Sequence, residues 1–108
     1  MYTTNANSTL DKIQIIGNYI NNVSDNGIDI DGHNGGIINH VIVANNTVNN
    51  CYWRSVLVYY THGNITIANN TLSDNEHHGI GIEHSSNITV MDNEIYGSKN
   101  RGIYISWL

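Results

Sequence analysis

The sequence predicts an all-β fold, a parallel β-solenoid of about four coils, and three observations support this prediction. Asparagine occurs 19 times and isoleucine 17 times, while proline is absent. Apolar β-branched residues alternate with polar ones, and almost no stretch has the spacing of an amphipathic helix. The same strand pattern also returns at intervals of 28, 24 and 23 residues. A fixed period of this kind is the sequence signature of a repeat architecture.

Each repeat opens with a first strand. The four copies read IQIIGNYI, VIVANNTV, ITIANNTL and ITVMDNEI, and they begin at Ile13, Val41, Ile65 and Ile88. A second strand begins 15 residues later in every copy, at Ile28, Val56, Ile80 and Ile103. Because this offset is constant, all length variation falls between the second strand and the next coil. We expect a lead-in over residues 1–12 and one repeat domain over 13–108, with coils at about 13–40, 41–64, 65–87 and 88–108.

Stacking the repeats produces columns of equivalent residues. Five columns contain only Ile, Val or Leu, which predicts inward-facing positions that form the core. They are Ile13/Val41/Ile65/Ile88, Ile15/Val43/Ile67/Val90, Ile20/Val48/Leu72/Ile95, Ile28/Val56/Ile80/Ile103 and Ile30/Val58/Ile82/Ile105. A sixth column is asparagine throughout: Asn18, Asn46, Asn70 and Asn93. Asparagine tolerates left-handed backbone at a corner, and its amides can form a ladder between coils.

A period of about 23 residues with two or three short strands fits a solenoid whose coils are about 4.8 Å apart. A β-propeller would need a longer period and four strands per blade. The pattern I-x-I-x-x-N-x-I, a turn, then G-I-x-I resembles the right-handed parallel β-helix repeat of the pectate-lyase-like superfamily. The resemblance covers residues 13–108.

That superfamily includes polysaccharide lyases, glycoside hydrolases, alginate epimerases, phage tailspikes and periplasmic accessory proteins of copper enzymes. The resemblance implies a right-handed coil and an extracellular or cell-surface location, although the chain begins without a signal-peptide pattern. Whether the chain is an enzyme stays open. If it is one, the resemblance implies a polysaccharide lyase, a glycoside hydrolase or an epimerase.

Composition narrows the possible partners. The net charge is −5, with nine acidic and four basic residues, which argues against nucleic acid because that affinity depends on clustered Lys and Arg. No apolar run approaches the length of a membrane span, so no membrane partner is expected. The only cysteine, Cys51, has no second thiol for a disulfide or a zinc finger.

The second strand is predicted to carry the functional groups. Period-2 alternation from its buried residues sends three positions per coil outward. These are Gly27/Asp29/Asp31, Ser55/Leu57/Tyr59, Gly79/Gly81/Glu83 and Gly102/Tyr104/Ser106. A flat strand face between protruding turns forms a groove that suits an extended polymer.

The catalytic candidates are Asp29, Asp31, Glu83, His33 and Arg54. Asp31 and Glu83 share a column two coils apart, so their backbones are expected about 9.5 Å apart. That separation leaves room for a water, as in inverting glycoside hydrolysis. An adjacent acidic pair can instead hold a cation, so calcium at Asp29 and Asp31 is a weak alternative, and no other cofactor is expected.

Aromatic rings and flexible polar side chains are the usual means of holding sugars. The substrate-binding candidates on or beside the strand are Trp53, Tyr59, Tyr60, His84, Arg101 and Tyr104. The ordinary alternative for each is a solvated turn residue without a ligand.

The motifs of two families of sugar-processing enzymes match only in part. Polygalacturonase-like hydrolases carry N-T-D-G, an acidic pair and G-H-G, and this chain has Asn26 where the first catalytic aspartate would be. Epimerase-like sites carry G-x-D-P-H, and here Ile30-Asp31 stands in place of Pro-His. The stretch from Gly27 is therefore in the right place for a site without either full signature.

Two functions remain open. The first is a module that binds or processes polysaccharide. The second is a non-catalytic structural or assembly solenoid, such as a fragment of a longer surface or tail-fibre-like protein. Since no capping helix is apparent, we expect the solenoid ends to support a homo-oligomer.

Overall fold

The computed structural model describes residues 1–107 and forms twelve β-strands over that range. No helix in this range is long and apolar enough to cross a membrane. In chain order the strands are β1 (Thr9–Ile16), β2 (Tyr19–Val23), β3 (Ile28–Asp31), β4 (Ile37–Ala44), β5 (Thr47–Cys51), β6 (Val56–Tyr59), β7 (Ile65–Ala68), β8 (Thr71–Ser73), β9 (His78–Glu83), β10 (Ile88–Met91), β11 (Glu94–Tyr96) and β12 (Arg101–Ser106).

The strands form three parallel sheets, each with one strand per coil. Their orders are β1-β4-β7-β10, β2-β5-β8-β11 and β3-β6-β9-β12. Every neighbouring pair is parallel. The predicted all-β solenoid of about four coils is therefore confirmed, with three strands in each coil.

The aliphatic columns form the core. Ile13 registers with Val41 and then with Ile65, as the stacked repeats require. Val43 and Val58 of the second coil are fully buried, and their equivalents in the third coil, Ile67 and Ile82, are also buried. β-Branched side chains suit these positions because they pack closely on a pleated surface.

The last coil leaves its core residues open. Ile103 and Ile105 occupy columns that are buried in the preceding coils, yet they are 45% and 70% exposed. At the opposite end, Tyr2 forms a parallel bridge with Asp31, so the first residues pair along the edge of β3. The two ends of the solenoid therefore differ in how far they are covered.

The asparagine column forms a ladder through the molecule. The side-chain amide of Asn46 donates to Oδ1 of Asn70 at 3.0 Å, and that of Asn70 donates to Oδ1 of Asn93 at 2.9 Å. The expected left-handed corner lies one residue earlier than predicted, for example at Asn45 and Asn69, with φ of 56° and 57°. The ladder asparagines are consequently free to point inward and pair from coil to coil.

Candidate functional site

The outward side of β3, β6, β9 and β12 carries or adjoins most of the candidate side chains, and we call it the strand face. Two columns on it are in register from coil to coil. The first consists of Asp29, Leu57, Gly81 and Tyr104, and the second of Asp31, Tyr59, Glu83 and Ser106. Asp31 and Glu83 do share a column, two coils apart.

The column before these two was expected to face outward, and that expectation was wrong. A Cβ at Gly27 would lie 2.5 Å from Cγ1 of Val48 in the interior. Ser55, its equivalent in the next coil, is fully buried. The chain bends just before each of these strands, so the simple alternation does not extend to this position. The column contains only Gly27, Ser55, Gly79 and Gly102 because it points into a packed corner.

The preceding column faces outward instead, and we call it the edge column. It consists of Asn26, Arg54, His78 and Arg101. The Asn26 amide donates to Oδ2 of Asp29 at 3.2 Å, and Arg54 reaches Glu83. The edge column therefore borders the strand face along its length.

His78 is the functional candidate that sequence reasoning missed. Its ring stacks on Tyr104 of the next coil, with ring centroids 4.5 Å apart and planes 16° apart. The Arg101 guanidinium lies 5.4 Å from the centre of the Tyr104 ring. The sequence signal that could have identified His78 is the adjacent column of glycine and serine. Small residues at a bend indicate that the column points inward, so the neighbouring column with His78 points outward.

Arg54 and Glu83 form an ion pair across the strand face. Nη2 of Arg54 is 2.9 Å from Oε2 of Glu83, and both side chains are largely buried. A Cβ at Gly81 would lie 3.2 Å from Nε of Arg54, so the missing side chain makes room for the arginine. The contact is close without being aligned as a hydrogen bond, since Oε2 of Glu83 and Nε of Arg54 have no hydrogen-bond partner in the described protein.

Asp29 is half-buried on the strand face, one coil before Arg54. Burial raises the pKa of its carboxyl above the ordinary value; the hydrogen bond from Asn26 lowers that pKa, and the Asp31 charge raises it further. Oδ1 of Asp29 is buried without a hydrogen-bond partner within residues 1–107. A buried acceptor with no partner is costly unless something else satisfies it.

The predicted catalytic groups Asp31 and His33 contact each other at the end of β3. Nδ1 of His33 is 2.7 Å from Oδ1 of Asp31, and the same carboxylate oxygen accepts the backbone N–H of His33 at 2.8 Å. His33 also lies 6.2 Å from the ring of Tyr59. Asp31 and Glu83 are thus each held by a different basic side chain.

Aromatic rings line both long sides of the strand face. On the side where the strands begin, Trp53 stacks on His77 with centroids 4.2 Å apart, and Tyr52 meets Trp53 edge-on. We call this set the entry wall. On the side where the strands end, Tyr60 stacks on His84 at 4.5 Å, and Tyr59 packs edge-on against Tyr60. We call this set the exit wall.

His78 differs from the other histidines in its surroundings. It is only 6% exposed, and its Nδ1 has no hydrogen-bond partner in the part of the chain described. Burial lowers the pKa of the imidazole, and the positive charges of Arg54, Arg101 and His77 lower it further, while Glu83 raises it. A neutral ring is therefore favoured in the free protein.

Two surface hollows lie at turns beside the strand face. One, of about 390 Å³, is lined at the corner after the third sheet by Ile38, Tyr60, His62 and Asn64 among others. The other, of about 310 Å³, lies near Cys51 at the corner before that sheet. The strand face itself is a shallow surface between walls, which suits an extended ligand better than a compact one.

The weak expectation of a metal at Asp29 and Asp31 finds no support in the donor geometry. Among residues 1–107, no three His, Cys, Asp or Glu side chains converge as metal ligands would. Two-residue contacts such as Asp31 with His33 and Asp11 with His40 provide too few ligands.

Comparison with known proteins identifies one family. A family model described as "Periplasmic copper-binding protein (NosD)" matches residues 2–107. The searches of curated proteins and of solved structures found no match. The described residues do not fit a copper centre, because copper needs several converging nitrogen or sulfur donors and this chain brings no such set together.

Proposed function

This chain belongs to the NosD family, a family of right-handed parallel β-helices, and from that premise we propose that it is a periplasmic module that binds carbohydrate along the strand face. The periplasmic location follows the description of the family. The carbohydrate ligand follows the chemistry of the strand face. We assign no reaction to the module and no copper to it.

The two aromatic walls are the observation that carries the proposal. Trp53 is 37% exposed and Tyr60 is 42% exposed, and each is stacked on a histidine of the next coil. Stacking fixes the ring planes before any ligand arrives, which reduces the ordering cost of binding. Sugar C–H faces pack well on such rings.

Backbone conformation adds a second argument at the exit wall. Tyr60 and His84 both have φ of 52°, in the left-handed region that bulky residues rarely adopt. Such positions are enriched at ligand-binding sites, where the surrounding structure maintains the strain. Here the left-handed backbone carries two stacked rings to the edge of the strand face.

The charged groups between the walls favour binding over catalysis. Glu83 lies against Arg54, and Asp31 lies against His33. Each carboxylate is thus already engaged by a neighbouring side chain, which suits a fixed binding group better than a group that must exchange a proton with a substrate. The same groups can donate and accept hydrogen bonds with sugar hydroxyls at fixed positions.

Fluorescence titration of a single-tryptophan variant tests the proposal. Trp107→Phe leaves Trp53 as the only tryptophan, so emission reports on the entry wall. We expect soluble oligosaccharides to change the emission saturably. Trp53→Ala, measured by affinity electrophoresis, is expected to weaken binding about tenfold, since an aromatic contact contributes on the order of 1 kcal/mol beyond its buried area.

Tyr96→Ala is the matched control for the loss of an aromatic side chain. Tyr96 is 51% exposed and lies on β11, away from the strand face. Equal retardation of both alanine variants and the parent protein by every polysaccharide would refute the proposal.

A second candidate function, assembly, is favoured by the last coil. Ile103 and Ile105 expose apolar surface that an additional coil would cover. The ladder has a direction, because the backbone N–H of each asparagine donates to Oδ1 of the next, as Asn70 does to Asn93 at 3.0 Å. A coil of a second copy stacked on Asn93 would continue this pattern with the Oδ1 of its Asn18.

Light scattering over a range of protein concentrations tests the assembly function. Stacking of this kind gives a mass that rises with concentration, because head-to-tail contacts do not close. A monomer mass at every concentration would exclude it and leave the carbohydrate proposal intact.

A further inference from the structure

The edge column places three basic side chains in consecutive coils. Arg54, His78 and Arg101 stand side by side, and His78 is in register with Arg101 across the β9–β12 pair. Neighbouring coils are about 4.8 Å apart, so the two arginines flank the histidine. In a chain with a net charge of −5, such a line of basic groups is distinctive.

Two buried nitrogens in this line have no partner. Nδ1 of His78 and Nε of Arg54 make no hydrogen bond to residues 1–107. Buried polar atoms are nearly always paired, so two in adjacent coils of one column call for a ligand or water between them. Arg101 is exposed, and its Nη1 makes only a 3.3 Å contact with the neighbouring Asn100 side chain.

We propose that Arg54, His78 and Arg101 form a binding site for an oxyanion, a carboxylate or a sulfate ester, that is carried by the polysaccharide on the strand face. That the anionic group belongs to a polysaccharide rests on the proposed function. The anion accepts from Nε of Arg54, from the protonated Nδ1 of His78 and from the Arg101 guanidinium. Charge-assisted hydrogen bonds of this type are short and strong.

The acidic groups nearby leave these donors free. Glu83 engages Nη2 of Arg54 and not Nε. Asp29 is held by Asn26. Tyr104 positions two of the three basic groups, because the His78 imidazole stacks on its ring and the Arg101 guanidinium makes a cation–π contact with the same Tyr104 ring.

Anion binding is coupled to a proton. The groups that face His78 are Arg54, Arg101, His77 and Tyr104, together with the carboxylate of Glu83. In the free protein burial and the positive neighbours favour the neutral imidazole, and a bound anion offsets those charges and favours protonation. Affinity for the anionic ligand therefore rises as the pH falls through the region below 6.5, the ordinary value for histidine.

The test compares an oligogalacturonate with its fully methyl-esterified form by titration calorimetry. The two share the same sugar chain and linkage, and esterification removes the negative charge and adds a methyl group to each carboxyl. We expect the charged form to bind about tenfold more tightly, as one or two charge-assisted hydrogen bonds would give. Arg101→Gln is expected to reduce that preference to nearly nothing.

Lys99→Gln is the matched control, because Lys99 lies in the same coil, is exposed and pairs with Glu76 outside the edge column. It removes the same single charge and is expected to keep the preference. His78→Asn is expected to abolish the pH dependence, and its folding is checked by circular dichroism. Since Arg101 is exposed, the Arg101→Gln result stands even if the His78 variant fails to fold.

Four outcomes separate the two proposals. The oxyanion site is supported if the parent protein binds oligogalacturonate more tightly than its methyl ester, and if Arg101→Gln loses this preference while Lys99→Gln retains it. Equal binding of both oligosaccharides overturns the site and leaves the carbohydrate function standing. If neither binds, this polymer is not the ligand of the strand face, and the affinity electrophoresis described above decides the carbohydrate function. Titration with sodium sulfate then decides the site alone through the NMR signal of His78 Hε1. A shift of that signal supports a site for free anions, and its absence overturns the site.

Discussion

Replacing Asn70 by alanine is the most direct perturbation of what holds the coils together. The Asn70 side chain accepts from the backbone N–H and the amide of Asn46, both at 3.0 Å. It donates to the carbonyl oxygens of Val43 and Ala68 at 2.9 and 3.1 Å, and to Oδ1 of Asn93. Alanine removes every one of these contacts in a position that is 1% exposed.

The expected cost is about 2 to 4 kcal/mol. Losing a buried hydrogen bond costs about 1 kcal/mol, and leaving a buried donor without a partner costs about 1–3 kcal/mol. The backbone N–H of Asn46 is the donor that loses its partner. For a domain whose total stability is on the order of 5–15 kcal/mol, the loss is large.

Asn18→Ala provides the matched control in the same column. Asn18 is exposed, and its side chain only donates, to Oδ1 of Asn46 at 3.0 Å and to the carbonyl of Ile16 at 3.4 Å. Water can replace both contacts, so the expected cost is about 1 kcal/mol or less. The pair therefore separates ladder energetics from any general effect of losing an asparagine.

Urea unfolding followed by circular dichroism measures both variants. The difference in the free energy of unfolding follows from the two midpoints when the slopes agree. If Asn70→Ala lies within about 1 kcal/mol of Asn18→Ala, the ladder contributes little and the reasoning is refuted.

Two further predictions address the corner and the charged face. Gly27→Ala is expected to destabilise the fold by about 1–3 kcal/mol, because the added Cβ would overlap Val48. Gly102→Ala is the control and is expected to be tolerated, since the nearest atom to its added Cβ is 3.9 Å away. Equal urea midpoints for the two variants would contradict the inward orientation of the column. Asp29→Asn is expected to raise stability at pH 7, because the raised pKa means that folding disfavours the ionised carboxyl. That gain should shrink as the pH falls through the raised pKa of the folded state and vanish below 3.8, where Asp29 is protonated in both states. A gain that is constant with pH would count against the raised pKa.

The sequence was sufficient to predict the solenoid and most of its packing. The five aliphatic columns followed from the repeated strand pattern and its constant 15-residue offset, because parallel stacking forces equivalent residues into register. Ile103 and Ile105 belong to the same columns, yet they are exposed. Their exposure depends on the absence of a covering coil among residues 1–107, which a residue pattern does not encode.

The candidate site was predicted only in part, because alternation was extended past the point where it holds. Tyr59 and Glu83 lie within regular strands, so their outward direction followed from the period of two. Ser55 lies at the bend, where the backbone turns and reverses the expected side. That single reversal places Arg54 and His78 at the edge of the strand face.

The ion pair of Arg54 with Glu83 shows why column reasoning alone cannot assemble a site. The two residues lie in different columns and different coils, and they meet because the long arginine side chain crosses the face at Gly81. A larger residue at position 81 would occupy the path of the arginine. Small residues thus have two uses here: in the corner column they let the chain bend inward, and at Gly81 they let a cation lie flat on the sheet.

Those two uses explain how an acidic protein can present basic groups along one edge. The bend sends the edge column outward, and the absent side chain at Gly81 lets Nη2 of Arg54 approach Glu83 while Nε keeps no hydrogen-bond partner in the described protein. The carboxylates Asp31 and Glu83 lie in the column nearer the exit wall, so charge changes sign across the strand face. A polymer lying along the coils would therefore meet cations on one side and carboxylates on the other. An anionic substituent would bind favourably in only one orientation, which gives the strand face a means of fixing the direction in which the polymer lies.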